Sequence, residues 1–384
     1  MRRVRRRDRT RPAGGHALQP SVRHVPERVR AGPAHDALRG DARGRDSLFR
    51  RRFGRRRRLT SLRDDALTAW RAGVRAADGA ERVARYFTDH PRVSDELERT
   101  LVVATGKVAV PMAAGVGVGG CGFALAPHPG AAASSTPAPV LAPGIELLHG
   151  GHPVPDAVGV ESSRKILDAV SALGVGDRLL YLVSGGSSAL FEVPDPRIEQ
   201  ADLLTAHDEL VRSGANIAEI NSVRRALSRT KGGRLAAAAR PASVLTLAIS
   251  DVAGDDPAII GSGPTVAPTG ADRDGSTAAL EIIRRYRLES VLAPAVLETL
   301  ARPEPCGPAN VEGFVVLASV ATACAQARCV LEERGYRCVS PPDGRLAGDA
   351  SDAARTLAEL ARTLAARPER LALVLGGETT PRVP

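Results

Sequence analysis

The sequence predicts an α/β protein of two Rossmann-like domains with mostly parallel sheets, the smaller C-terminal one incomplete. Three observations carry that prediction. Short apolar runs alternate with segments of helical period, the pattern of strands covered by helices on both faces. Several runs end in polar, glycine-rich stretches at 105–107, 184–188, 250–256 and 376–380, the place where open parallel sheets bind ligands, beyond their carboxyl strand ends. Prolines between Pro303 and Pro308 interrupt the pattern. They divide a large domain over 59–302 from a linker over 303–312 and a partial domain over 313–384.

Taken in order, residues 61–90 place Leu62, Ala66, Ala69, Trp70 and Val74 near a 3.6-residue period, which predicts one or two amphipathic helices. Leu101–Ala104 is a short apolar run closed by Gly106, and a helix can begin at Lys107 and reach Ala114. Residues 115–145 are rich in Gly, Ala and Pro and read as loop with one short strand. Glu161–Leu173 is a helix with Ile166, Leu167, Val170 and Leu173 on one face. Leu179–Val183 is a buried strand ending in Ser184-Gly-Gly-Ser-Ser188. The segment 201–239 reads as helix broken near Lys231, Val244–Ile249 as a second buried strand, and 275–300 as a further helix. The last unit alternates strand 313–318, helix 320–334, strand 336–339, helix 349–365 and strand 371–375.

Composition narrows the function classes. The net charge of +10 is concentrated at the front: residues 1–58 hold 20 Arg and 5 Asp or Glu, a local +15 that leaves the remaining chain near −5. A nucleic-acid-binding body keeps its basic excess within the folded domain, so nucleic acid is not the expected partner. The leader has no hydrophobic period, cannot repay its ordering entropy, and is expected to be disordered. No run of about 18 apolar residues predicts a membrane span, and the N-terminus lacks a secretion signal. A cytoplasmic protein is therefore expected. The five cysteines form no CxxC pair, which argues against a disulfide framework or a zinc site.

Lysine is scarce. Of 53 basic residues only Lys107, Lys165 and Lys231 are lysine, and two of these adjoin glycine, in Gly106-Lys107 and Lys231-Gly-Gly233. A compact ammonium beside bare backbone suits phosphate contact. Ser184, Gly185, Gly186, Ser187 and Ser188 follow a strand, where small residues let backbone N–H groups approach an anion. They do not form a Walker A loop, since no GxxxxGK[ST] occurs. A tight turn, or a nucleophile elbow at Gly185-x-Ser187-x-Ala189, stays open at this point. Asp251, Asp255 and Asp256 follow the other buried strand, where carboxylates hold Mg²⁺ or accept a hydroxyl proton; capping and turn formation would also use them. A literal GxGxxG at Gly115, Gly117 and Gly120 lies about ten residues beyond its strand and reads as loop.

The order of these stretches resembles the class II glycerate kinases, often called hydroxypyruvate reductases. The matching residues are Gly106-Lys107, Gly151–Asp156, Ser184–Leu190, Ser213–Ile217, Glu219–Asn221, Arg224, Leu227-Ser228, Lys231–Ala236, Ser250–Pro257, Ser262–Thr265 and Gly376–Thr380. The resemblance implies a large and a small α/β domain, the latter of the MOFRL type, with a site in the cleft between them. It implies ATP and Mg²⁺ as cofactors, D-glycerate phosphorylated at its 2-hydroxyl, and no membrane partner; it allows a homodimer. Lys107 then corresponds to the catalytic lysine, and 184–188 with Lys231 to phosphate contacts. Asn221, Arg224 and Lys231 would meet the glycerate carboxylate or the nucleotide. Asp251 would be base or metal ligand, Asp255 a second metal ligand, and Glu378 the far wall of the cleft. His152 would either touch ligand or hold a turn.

Two departures accompany the resemblance. Ser187 stands where the family's loop usually has its third glycine. The chain also stops at Pro384, before the family's Gly-Arg-Asn segment with a second catalytic cation, which predicts weak or absent turnover. Two alternatives follow, an inactive truncated or frameshifted fragment and an NAD(P)-dependent hydroxypyruvate reductase. The second lacks a glycine fingerprint joining strand to helix.

Overall fold

Apolar runs become the strands of one large sheet, and the small polar residues that close them become loops along a single edge. The computed structural model describes residues 22–24, 50–130, 140–267, 276–302, 306–340, 345–346 and 348–379. The chain begins with β1 (Val22–His24), α1 (Arg50–Ala76), α2 (Gly79–Asp89), α3 (Pro91–Asp95), β2 (Thr100–Thr105), α4 (Ala109–Ala114), β3 (Cys121–Pro127) and β4 (Gly144–Gly150). It continues through α5 (Ala157–Ser171), β5 (Arg178–Ser184), α6 (Ser187–Leu190), α7 (Gln200–Arg212), α8 (Ile217–Leu227), α9 (Arg234–Ala238) and β6 (Ser243–Ser250). Then come α10 (Ser276–Arg285), α11 (Pro294–Ala301), β7 (Val311–Ser319), α12 (Val320–Glu333), β8 (Arg337–Val339) and β9 (Arg345–Leu346). The described chain closes with α13 (Ala350–Ala365), β10 (Leu371–Leu373) and β11 (Gly376–Gly377).

The main sheet runs β1-β7-β6-β5-β2-β3-β4, with every neighbouring pair parallel. Its order locates a ligand site by itself. From β2 the chain builds outward through β3 and β4, then returns to the other side of β2 and builds β5, β6 and β7. The switch lies between β2 and β5, and the crevice beyond their carboxyl ends is where an open α/β sheet binds ligands.

Both faces are covered, which is why the strands read as near-continuous apolar runs. Tyr181 and Val183 of β5 face one core with Val103, Leu125, Phe314 and Ile166 of α5. The intervening Leu180 and Leu182 face the other core, with Val102, Leu245, Leu247 and Met112 of α4. A separate helical core joins α7, α8, α10 and α11 through Leu203, Val223, Ile283 and Leu300.

Several expectations need correction. The stretch 115–145 holds one strand, β3, but β4 begins at its end and runs on through Gly150, where no strand is expected. Glycine at both ends of β4 hides it, because glycine weakens strand propensity. Gly122 sits at φ +141°, and a Cβ there would overlap the Val102 carbonyl, so glycine lets β3 lie against β2. The helix expected over 275–300 is two helices, separated by Arg287 at φ +56° and restarted by Pro294 at the first turn of α11. The strand expected to open a second domain at 313 belongs to the main sheet. Val311 to Ser319 pairs along β6, from Val244 to Ser250, so the 303–312 segment does not separate two sheets.

The leader differs as well. Residues 22–24 form an edge strand on β7, and α1 starts at Arg50, within the span expected to be disordered; the rest of 1–49 lies outside the described residues. Arginine is a good helix former, and the end of α1 is held by α12. Gly73 lies against the Ala323 carbonyl, and Asp65 accepts from Arg334 Nη1 at 2.6 Å and Tyr336 OH at 2.8 Å. Beyond α12 the structure thins to two parallel strand pairs, β8 with β10 and β9 with β11, and α13 buries no residue completely. All five cysteines are free thiols. No helix of the described residues is long and apolar enough to cross a membrane.

Candidate active site

The loops after β2 and β5 are stitched to each other across the switch point. The Lys107 amide donates to the Gly185 carbonyl at 2.8 Å, and the Val108 amide donates to Ser184 Oγ at 3.2 Å. Ser184 Oγ in turn donates to the Thr105 carbonyl at 3.3 Å. Gly106, at φ +119°, makes this approach feasible, since a Cβ would overlap Ser184 Oγ. Lys107 itself is exposed.

Three charged or polar side chains close on the glycine pair of the β5 loop. A Cβ at Gly185 would overlap the Asp251 carboxylate. A Cβ at Gly186 would lie 2.9 Å from His152 Cδ2 and 3.2 Å from Lys107 Cγ. Burial pushes the His152 imidazole below its usual range; the Lys107 ammonium acts in the same sense, while Glu378 and Asp251 oppose it. Lys107, His152, Asp251 and Glu378 are thus within electrostatic reach of one point. Glu378 follows β11, which pairs with β9, and Arg345 of β9 donates to the Asp251 and Val252 carbonyls at 3.4 Å each. That link brings the C-terminal strands to the main-sheet site.

The other candidates divide. Asp255 occupies the adjoining turn at φ +54°, and Asp256 Oδ1 accepts from the Ala258 amide at 2.9 Å, a turn-forming role. Among the described residues, no group of three or more His, Cys, Asp or Glu side chains is arranged to hold a metal ion. Ser187 is 1% exposed, and its Oγ lies 2.7 Å from Thr105 Oγ1 and 3.2 Å from Tyr181 OH. Its partners are hydroxyls, with no imidazole or carboxylate among them, so the nucleophile-elbow reading fails. Ser188 Oγ pairs with Ser262 Oγ at 2.7 Å, and Ser262 Oγ donates to Asn221 Oδ1 at 3.3 Å, tying α8 to the loop. The Gly115–Gly120 run leads from the end of α4 into β3, the reverse of the strand-to-helix turn that a dinucleotide needs.

Lys231 corrects an expectation. It is 0% exposed and its Nζ donates to Glu192 Oε2 at 2.6 Å and to the Phe191 carbonyl at 3.1 Å. It sits in the interior with His207, whose Nε2 is 4.0 Å from Glu192 Oε2, so the lysine is committed to a buried pair and not presented to a ligand. Burial lowers its ammonium pKa, against the pull of Glu192. Arg224, one turn beyond Asn221 on α8, is half-buried, and its Nε has no hydrogen-bond partner among the described residues; burial lowers its guanidinium, with Glu192 opposing.

Sequence reasoning missed Thr105, Tyr181, Glu192 and His207. The first two left a signal: a tyrosine inside the apolar strand Leu179–Val183 must find a partner for its hydroxyl, and Thr105 is the polar end of the neighbouring run. Glu192, between Phe191 and Val193, carried none.

Comparison with known proteins gives this arrangement a family. Residues 65–301 match the family described as Domain of unknown function (DUF4147). A protein of Agrobacterium vitis named putative hydroxypyruvate reductase is 41% identical over 249 residues, 62% of either chain. The D-glycerate 2-kinase of Thermotoga maritima is 33% identical over 243 residues, 62% of this chain and 56% of the relative. The chain therefore spans about three-fifths of the length of these relatives. The crystal structure of a Thermotoga maritima glycerate kinase aligns at a TM-score of 0.67 with 29% identity, covering 85% of this chain and 76% of the other. With its motifs gathered at the carboxyl edge of a sheet of the same fold, the chain belongs to the DUF4147 family, that of the class II glycerate kinases.

Proposed function

We propose that the protein transfers the γ-phosphoryl group of ATP to the 2-hydroxyl of D-glycerate, giving 2-phosphoglycerate and ADP. The observation that carries this reading is the convergence of Lys107, His152 and Asp251 on Gly185 and Gly186 at the switch point. A bond forms between the glycerate oxygen and the γ-phosphorus, and the bond from that phosphorus to the β–γ bridging oxygen breaks. Lys107, exposed at the loop, neutralises charge on the transferring group. Asp251, whose carboxylate lies against Gly185, accepts the hydroxyl proton. Neutral His152 donates a hydrogen bond without adding charge, as its depressed pKa favours. Asn221 and Arg224 are the groups for the glycerate carboxylate, since the Arg224 Nε is unpartnered and a planar guanidinium matches a carboxylate.

Mg²⁺ fits as an ion carried mainly by the nucleotide. One or two carboxylates plus phosphates and waters suffice for it, and Asp255 would provide the protein's share, leaving Asp251 as the base. It would supply charge neutralisation across the β- and γ-phosphates.

The test is ³¹P NMR of the protein with ATP, Mg²⁺ and D-glycerate, with Lys107→Ala beside it. The expected outcome is a 2-phosphoglycerate resonance that the variant abolishes. Equal product from the variant, or none from folded wild-type protein, overturns the reading.

A further inference from the structure

Beneath the two stitched loops lies a closed set of three hydroxyls. Thr105 Oγ1 is 2.8 Å from Tyr181 OH and 2.7 Å from Ser187 Oγ, and Tyr181 OH is 3.2 Å from Ser187 Oγ. Thr105 and Tyr181 are 0% exposed and Ser187 is 1% exposed. The three belong to different parts of the site: Thr105 ends β2 beside Gly106-Lys107, Tyr181 is mid-strand in β5, and Ser187 starts α6 after the glycine pair. Each hydroxyl has one proton to donate. Around a three-membered ring each donates once and accepts once, so no proton is left over. The ring is sealed by Phe191, whose ring centroid is 6.2 Å from that of Tyr181, and by Gly261, where a Cβ would lie 3.3 Å from Ser187 Oγ.

We infer that Thr105, Tyr181 and Ser187 form a positioning device that fixes the Lys107 backbone against the Gly185–Gly186 loop and withholds the Ser187 hydroxyl from any ligand. The geometry supports both halves. The ring joins the same two chain segments that the Lys107 amide and Ser184 Oγ join above it, so β2 and β5 are fastened at two levels around the switch point. Burial pushes the Tyr181 phenol up to about 12, against the two hydrogen bonds that would lower it, which keeps it a neutral donor throughout the working range. Ser187 was expected among the phosphate contacts; with its proton spent in the ring, ligand contact falls to the backbone of Gly185 and Gly186 and to Lys107. A glycine at 187 would leave Thr105 and Tyr181 as a simple pair.

The kinetic side of this inference rests on the proposed kinase reading, so the experiment has a second arm that does not. Thr105→Val removes the hydroxyl shared by the two shortest contacts at nearly constant volume, Thr105→Ser keeps it, and Tyr181→Phe removes one hydroxyl alone. Amide hydrogen exchange on the whole chain should show residues 106–109 and 185–190 exchanging at least about tenfold faster in Thr105→Val, with β6 and β7 unchanged and Thr105→Ser like wild type. Turnover of ATP and D-glycerate should fall about 10- to 100-fold in Thr105→Val with the KM for ATP nearly unchanged, and recover in Thr105→Ser. Local exchange changes without any wild-type product would refute the kinase reading and leave the positioning device standing. Faster exchange throughout the sheet, or no rescue by Thr105→Ser, overturns the inference. Should Thr105→Val fail to fold, Tyr181→Phe decides on the same two readouts, with a smaller local exchange change expected and an unchanged profile counting against the ring.

Discussion

Two lysines beside glycine meet opposite fates in this fold. Lys107 stands exposed at the switch point with His152, Asp251 and Glu378 in electrostatic reach. Lys231 is shut in the interior with Glu192 and His207, where Glu192 Oε1 and both His207 nitrogens have no hydrogen-bond partner among the described residues. In the sequence both are a rare lysine next to a bare backbone. What separates them is whether a carboxylate from another segment comes in to meet the ammonium. Glu192 does so for Lys231 across 39 residues of chain; among the described residues no ion pair commits Lys107 in the same way. The surface cluster therefore keeps its ammonium uncommitted, while Lys231 and Glu192 are committed to each other in the interior.

The contrast is sharpest in stability. Lys231→Met should destabilise the protein by about 3–5 kcal/mol, because Glu192 is left charged and buried without its partner. Changing both partners, Lys231→Met with Glu192→Gln, should recover a large part of the loss. Urea unfolding followed by circular dichroism measures each. A loss below about 1 kcal/mol in the single variant would place Lys231 with Lys107 after all.

That outcome also bears on what was legible beforehand. The runs Leu101–Ala104, Leu179–Val183 and Val244–Ile249 declare their strands through apolar β-formers, and the small polar residues closing them mark the candidate site. Local chemistry sufficed, because a strand buried on both faces has few ways to look otherwise. Lys231 was misplaced for the opposite reason: its environment is made by Glu192 and His207, 39 and 24 positions away, and no local spacing encodes such a pair. The prolines of 303–308 resemble a domain boundary and so predict that a strand at 313–318 opens a separate unit, whereas non-local pairing with β6 sets its place and extends it over Val311–Ser319. β4 is hidden by the glycines at its two ends, since glycine weakens strand propensity.

A second break in the comparison is the response to acid. Burial, then Arg224 and Lys231, holds the His207 imidazole well below its usual range, and it is 3% exposed. The sign follows directly. Below about pH 6.5 the unfolded chain binds a proton at this histidine that the folded chain refuses, so the unfolded state carries more protons and stability falls with falling pH. The contribution is complete above the unfolded value and is lost at up to about 1.4 kcal/mol per pH unit below it, until the folded value is reached. His152 shifts in the same direction and adds to the slope. The difference between wild type and His207→Leu therefore isolates the interior group. Equal slopes for the two proteins between pH 6.5 and 5 would mean that His207 is not held neutral by its surroundings.

The smallest stability effect belongs to the residue with the largest expected role in turnover. Lys107→Ala removes an exposed side chain from a loop that is held by backbone, not by the ammonium: the Lys107 amide to the Gly185 carbonyl and the Val108 amide to Ser184 Oγ both survive the change. A shift within about 0.5 kcal/mol is expected, as for ordinary surface substitutions. The sign favours slight stabilisation in acid, since the ammonium is one of the groups that depress His152, and relieving it lets that histidine take up its proton closer to the unfolded value. Calorimetric midpoints at pH 7 and pH 5.5 would register this as a gap between variant and wild type that opens only at the lower pH. A loss of several degrees at both pH values would show that Lys107 holds the fold together as Lys231 does, and the division between a surface cluster kept for chemistry and an interior one kept for folding would not survive it.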